Sequence, residues 1–213
     1  MGEAAKGAAE ITMSLHLFLV PLAAYILGSI PFGLVMGRLK GIDPRQHGSG
    51  NIGATNVART VGKTYGLLTL LLDISKGLLP VAAASWLYPG QSFLIALTGL
   101  AAMLGHCFSI FLGLKGGKGV ATALGVALGV CPASFLVCVA VFFAVFKIWR
   151  YVSVGSLSAM AVMAPAIHFL CPDTFFESMA WTICFVVWLK HSDNLRRLAR
   201  GEEKRFSSKG RDS

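Results

Sequence analysis

The sequence predicts an all-α, polytopic integral membrane protein, and three observations predict it. Hydrophobic residues fill 55% of the 213 positions and charged residues only 14%, against about 25% charged in soluble domains. The charges are segregated from long apolar runs, as in helices that cross a bilayer. Those runs lack the apolar/polar alternation of a transmembrane β-barrel.

The runs cover about 15–38, 65–88, 92–112, 119–148, 151–171 and 174–190. The first is too long for the apolar part of a secretory signal and lacks a basic start, so it reads as a span. The stretch 119–148 is broken by Gly125, Gly129 and Cys131-Pro132. It has room for one tilted helix or two short ones, and charge decides between them. Of the 19 Lys and Arg, all but Lys6 and Lys76 lie in 39–64, 113–118, 149–150 and 191–213 or at the adjoining span ends. The turns near 89–91, 131–132 and 171–174 carry none. Two crossings in 119–148 place every basic segment on one side. The positive-inside rule then predicts seven transmembrane helices, some short or broken, with the N-terminus outside and the C-terminus cytoplasmic. Residues 1–14 read as an extension, 15–200 as one membrane domain and 201–213 as a basic tail.

This topology and anionic lipid headgroups account for the net charge of +9. Nucleic acid is excluded as a partner, because it calls for a soluble basic face with stacking aromatics. The five cysteines (107, 131, 138, 171 and 184) show no CxxC or Cys/His ligand spacing. They are expected to pack in the core with no redox role. No cofactor and no metal are expected.

Two polar, glycine-rich segments punctuate the apolar chain. One is Gly48-Ser49-Gly50-Asn51-Ile52-Gly53-Ala54-Thr55-Asn56, the other Lys115-Gly116-Gly117-Lys118-Gly119. Backbone free of side chains turns its N–H groups toward an anion, and a neighbouring lysine adds a point charge. Gly116 and Gly117 would serve equally as a plain helix start. Glycine on both sides of Lys118, however, leaves N–H groups open at a helix N-terminus, which favours an anion site. Gly119 after Lys118 rules out a Walker A loop. The predicted topology brings Arg59, Ser156, His191 and Asn194 to the same side. His191 and Asn194, at i and i+3, share a helix face. The convergence points to chemistry on a phosphorylated substrate at the lipid boundary.

Other polar positions read as structural. Asp73 and Lys76, at i and i+3 within a span, form an expected ion pair. His106 is expected to orient the second glycine segment. His168 and Asp173 have the H-x4-D spacing of acyl-CoA-dependent acyltransferases, but they fall on the opposite side from the phosphate-binding groups, so the match is coincidental. A transporter or channel for organic phosphates is the rival class. It should show inverted halves with polar breaks at mid-membrane, whereas these motifs crowd one interface.

The chain resembles the bacterial membrane acyl-phosphate:glycerol-3-phosphate acyltransferase family. The resemblance runs from Gly28-Ser29-Ile30-Pro31-Phe32-Gly33 to Gly201. It rests on residues 48–56, Gly105-His106, Lys115 to Thr122, Arg150 to Ser156, and Lys190 to Leu198. Ser109 departs from it, since members often have proline there. The resemblance implies a seven-helix fold in the bacterial inner membrane. It implies acyl transfer from a long-chain acyl phosphate to the sn-1 hydroxyl of glycerol 3-phosphate, giving lysophosphatidic acid and inorganic phosphate. A soluble phosphate acyltransferase would supply the donor. Ser49, Lys118, His191 and Asn194 are the implied catalytic set. Arg59, Ser156, Gly48, Gly50, Asn51, Gly53, Asn56, Gly116 and Gly117 are the expected substrate-binding positions. The proton acceptor stays open between His191 and a substrate phosphate, with a covalent role for Ser49 disfavoured.

Overall fold

The computed structural model describes residues 2–206, with side chains from Ser14 onward. The described residues form ten α-helices, one 3-10 turn and no strand. The helices are α1 (Gly2–Gly28), α2 (Phe32–Arg38), α3 (Ala54–Thr60), α4 (Lys63–Leu87) and α5 (Ser92–Cys107). They continue as α6 (Val120–Val130), α7 (Pro132–Trp149), α8 (Val152–Leu170), α9 (Thr174–Lys190) and α10 (Ser192–Ala199). Five segments are long and apolar enough to cross a membrane: Ser14–Arg38, Lys63–Leu87, Ser92–Leu112, Pro132–Trp149 and Val152–Leu170. α6 is a shorter apolar helix, and α9 has 17 residues.

The expected span 15–38 is not one continuous helix. α1 ends at Gly28, and Pro31 stands before α2. Proline has no N–H to donate, so the chain turns there, and two carbonyls lose their helical partners. In an apolar setting such groups must find partners inside the protein. Ser109 Oγ donates to the Ser29 carbonyl at 2.6 Å, and Lys76 Nζ donates to the Ile30 carbonyl at 2.8 Å. Lys76 also forms the ion pair with Asp73, at 2.9 Å, and both side chains are buried. The stretch 119–148 is likewise two helices, α6 and α7, which meet at Cys131-Pro132. The helix α1 already runs through the segment read as an extension, starting at Gly2.

Helices approach closely where glycine removes the side chain, the usual device of packed membrane helices. α4 packs on α6, α1 on α5 and α7 on α8. At Gly125 of α6 an added Cβ would lie 2.0 Å from the Ile74 carbonyl of α4, and at Gly28 2.0 Å from the Ala102 carbonyl of α5. Met103, Val126, Met160, Met163, Ile167 and Ile183 fill the interior. Outward lie Phe18, Trp86, Leu136 and Phe185, as lipid contact allows.

The cysteine expectation is corrected in one respect. Cys131 and Cys171 form a disulfide across 40 residues, tying the α6–α7 corner to the end of α8. Sequence separation hid the pair, because only the packing of α7 on α8 brings the two helix ends together. Cys107 and Cys138 are free and buried.

A Gly125→Val substitution forces α4 and α6 apart. The expected cost is about 3 kcal/mol, the upper end for overpacking, seen as a lower unfolding midpoint of the detergent-solubilised protein. An unchanged midpoint would contradict this packing.

Candidate active site

A cavity of about 530 Å³ opens at the end of the bundle that carries the basic loops. Three glycines and one asparagine shape its first wall. Gly48 and Gly50 take left-handed backbone with φ of 65° and 71°, which side chains resist. Asn56, buried at the third position of α3, braces the loop from within. Its amide Nδ2 donates to the carbonyls of Pro44, His47 and Asn51, and its Oδ1 accepts from the Ser49 N–H at 2.9 Å. A Cβ on Gly48 would lie 2.2 Å from that Oδ1. Gly33 of α2 lets the loop seat, since a Cβ there would meet the Ile52 carbonyl. Ser49 itself is exposed on the cavity wall.

The second glycine segment forms a wall differently from the expectation. The Gly116 and Gly117 N–H groups are not open to an anion. They donate to the carbonyls of Cys107 and His106. Gly117 is glycine because the His106 ring fills the place of its Cβ, 2.2 Å from Nε2. These hydrogen bonds hold the segment against the end of α5 and aim Lys118 into the cavity. Gly119, with φ of 87°, then caps α6.

Lys118, from this loop, meets α10. Its Nζ donates to Asn194 Oδ1. Asn194 Nδ2 donates at 2.6 Å to Glu203, whose carboxylate also accepts from Ser153 Oγ at 2.7 Å and Arg197 Nε at 2.8 Å. Burial raises the proton affinity of Glu203, but these three donors outweigh it and hold the carboxyl below its usual range. Burial pulls Lys118 down from 10.5 to about 8, against the opposing pull of Glu203. His191 is 3% exposed, and burial lowers its pKa from 6.5 to about 4. Its Nδ1 lies 2.8 Å from the Val187 carbonyl. We therefore assign the neutral tautomer with the proton on Nδ1, leaving Nε2 as an acceptor.

Of the expected site residues, Gly48, Ser49, Asn51, Gly53, Asn56, Arg59, Lys118, Ser156, His191 and Asn194 border this cavity. Gly50, Gly116 and Gly117 do not border it, and their roles are in backbone geometry. The sequence reading missed Glu203 and Arg197, which also border it together with Asp73 and His106. An acidic pair at Glu202-Glu203 inside a basic tail was the available signal. The tail folds back here: the Phe206 N–H donates to the Arg150 carbonyl, and the Arg59 guanidinium lies over the Phe206 ring. Residues 207–213 of the predicted tail lie outside the described residues. His168 and Asp173 do not pair. His168 contacts Glu177 at 2.9 Å, and Asp173 caps α9.

Away from the cations the cavity turns apolar, lined by Leu70 and Ile74 of α4, Leu124 of α6, and Phe135, Val139 and Phe142 of α7. Fold and site together define a helical integral membrane protein whose cavity suits an anion at one end and a hydrocarbon at the other. A profile of the family described as glycerol-3-phosphate acyltransferase matches residues 18–201. The chain is 48% identical over 194 residues to the glycerol-3-phosphate acyltransferase of Geobacter sulfurreducens, covering 91% of this chain and all of that one. It is 52% identical over 186 residues to that of Trichlorobacter lovleyi, covering 87% and 95%. It is also similar to the crystal structure of PlsY, an integral membrane glycerol 3-phosphate acyltransferase, in its glycerol 3-phosphate form. The TM-score is 0.87 at 41% identity, covering 90% of this chain and 96% of that one. The lysophosphatidic acid form of PlsY gives a TM-score of 0.85. The chain belongs to the glycerol-3-phosphate acyltransferase family.

Between pH 6.5 and about 4 the unfolded chain protonates His191 while the folded protein does not. The contribution is therefore complete above pH 6.5 and is lost as the pH falls toward 4, by about 3 kcal/mol. A His191→Gln variant should show a flatter acid limb in thermal unfolding, and parallel limbs would refute this. Glu203→Gln removes the charge that gathers three donors, at a cost of about 2 kcal/mol. It should also speed trypsin cleavage at Lys204, which would stay slow if the carboxylate did not anchor the tail.

Proposed function

We propose that this chain transfers a fatty acyl group from a long-chain acyl phosphate to the sn-1 hydroxyl of glycerol 3-phosphate. The products are lysophosphatidic acid and inorganic phosphate. One observation carries the reading: Lys118, Arg59, Ser156, His191 and Asn194 border a single cavity with Ser49, and that cavity continues into an apolar arm. The PlsY structures similar to this chain are a glycerol 3-phosphate form and a lysophosphatidic acid form. The acyl phosphate donor and its supply by a soluble phosphate acyltransferase rest on the sequence resemblance.

In this reading Lys118, Arg59 and Ser156 hold the phosphate of glycerol 3-phosphate, helped by the N-terminus of α6. His191 and Asn194 orient its glycerol hydroxyls. Ser49 holds the acyl phosphate beside the first glycine loop. The hydroxyl oxygen attacks the acyl carbonyl carbon, the carbonyl–O(phosphate) bond breaks, and phosphate departs with the bonding pair. Holding two anions and a hydroxyl in line supplies most of the catalysis, since phosphate is a good leaving group. The hydroxyl proton goes to a phosphate oxygen. A second phosphate pKa near 6 makes it a better base at neutral pH than an imidazole lowered to about 4. The Nε2 lone pair of His191 directs the hydroxyl.

The proposed setting is a bacterial inner membrane, crossed seven times by α1/α2, α4, α5, α6, α7, α8 and α9, with this cavity on the cytoplasmic side. The basic loops support that orientation. The Cys131–Cys171 disulfide at the opposite ends of α6, α7 and α8 also supports it, since disulfides persist in oxidising compartments. Within the chain, 15–200 forms the acyltransferase domain.

Purified protein given palmitoyl phosphate should release inorganic phosphate only when glycerol 3-phosphate is present, forming lysophosphatidic acid, with palmitoyl-CoA inert. Lys118→Met should raise the KM for glycerol 3-phosphate about 10- to 100-fold, as loss of a charged hydrogen bond predicts. Phosphate release independent of glycerol 3-phosphate, or turnover with palmitoyl-CoA, would refute the reaction.

A further inference from the structure

The apolar arm of the cavity has a built end. α7 lines it with Phe135, Val139, Phe142 and Phe143, a spacing that marks one helix face. From Phe143 to Phe135 this wall runs about 12 Å at 1.5 Å per residue, away from the end of the bundle that carries Lys118. The lining stops at Phe135, with nothing from α7 contributing beyond it toward Cys131. Phe135 is half-buried and packs against the hydrophobic interior. Its N–H donates to the Cys131 carbonyl at 3.2 Å, and Cys131 is covalently tied to Cys171 of the α8 end. The end wall is therefore anchored to two helices. The side of the arm is open by contrast. α4 and α7 both border it, and each packs on α6 rather than closely on the other. The neighbouring Leu136 is 64% exposed and lies on another face.

We propose that Phe135 is the stop that sets the acyl-chain length this protein prefers, an inference that rests on the acyl-transfer reading above. A chain whose carbonyl lies near Ser49 and Lys118 runs along α7 until its terminal methyl meets the Phe135 ring. A longer chain must leave sideways between α4 and α7, losing enclosed contact. A shorter one leaves the end of the arm unfilled. Each methylene enclosed against the wall changes binding about fourfold, so one or two methylenes suffice for a sharp preference.

The test uses the full chain in mixed micelles and a graded series of saturated acyl phosphates from decanoyl to eicosanoyl, reading phosphate release that depends on glycerol 3-phosphate. Phe135→Ala should move the optimum to longer donors. The kcat/KM ratio of a donor two methylenes longer to the wild-type optimum should rise about 16-fold. Phe135→Trp should move the optimum to shorter donors. The KM for glycerol 3-phosphate should not change, and Leu136→Ala should keep the wild-type profile. If Phe135→Ala does not fold, Phe135→Leu reads the same shift at smaller amplitude. Overlapping profiles with intact turnover, or an equal shift from Leu136→Ala, would overturn the stop and leave the acyl-transfer reading standing. No glycerol 3-phosphate-dependent turnover by the wild-type protein with any donor would overturn the acyl-transfer reading itself.

Discussion

Lys76 joins the parts of the bundle on which the site is built. Its ammonium sits between the Asp73 carboxylate and the Ile30 carbonyl, and the packed helices leave it only 2% exposed. An unpaired charge there would cost several kcal/mol. The carbonyl belongs to the break between α1 and α2, so the same contact that neutralises Asp73 also stabilises a turn that an apolar helix would not otherwise make. After that turn α2 seats against the first glycine loop, where Gly33 meets Ile52. Asp73 in turn lies 3.6 Å from His106, whose carbonyl and ring seat Gly117. Ser49 and Lys118 are thus both held, from opposite sides, by groups that lead back to one buried ammonium.

The polar end of the cavity is balanced rather than simply positive. Lys118, Arg59 and Arg197 would repel one another if left alone at close range. Glu203 offsets them from the returning tail, and Asn194 bridges Glu203 to Lys118. The arrangement keeps donors pointed inward at fixed positions, which matters more for catalysis than net charge does. Neutral His191 completes it without adding to the repulsion. Ser109 shows the same economy of polar groups. Its hydroxyl satisfies the Ser29 carbonyl.

The amphiphilic cavity follows from the helix packing. α6 is short and buried, and the glycine contacts Gly125–Ile74 and Gly77–Thr122 lock it to α4. α7 lies on the outside of the bundle, packed mainly on α8. A space is left between α4 and α7 that starts at the cations and ends among phenylalanines.

The apolar runs, the two glycine segments and the one-sided distribution of Lys and Arg made the all-α membrane class legible from sequence. They also drew attention to Ser49 and Lys118, because such features are local: hydropathy, turn-forming glycine and charge do not depend on what lies across the fold. His191 and Asn194 stand out instead by their i, i+3 spacing and the family resemblance. The break at Ser29–Pro31, the Cys131–Cys171 disulfide, the bracing role of Asn56 and the closed hydrogen bonds of Gly116 and Gly117 were not legible. Each depends on which distant atom ends up within hydrogen-bonding or bonding distance, and only the packing of the chain decides that. Glu203 is the clearest case: by sequence it is one acid in a basic tail, and the fold places its carboxylate among Ser153, Asn194 and Arg197.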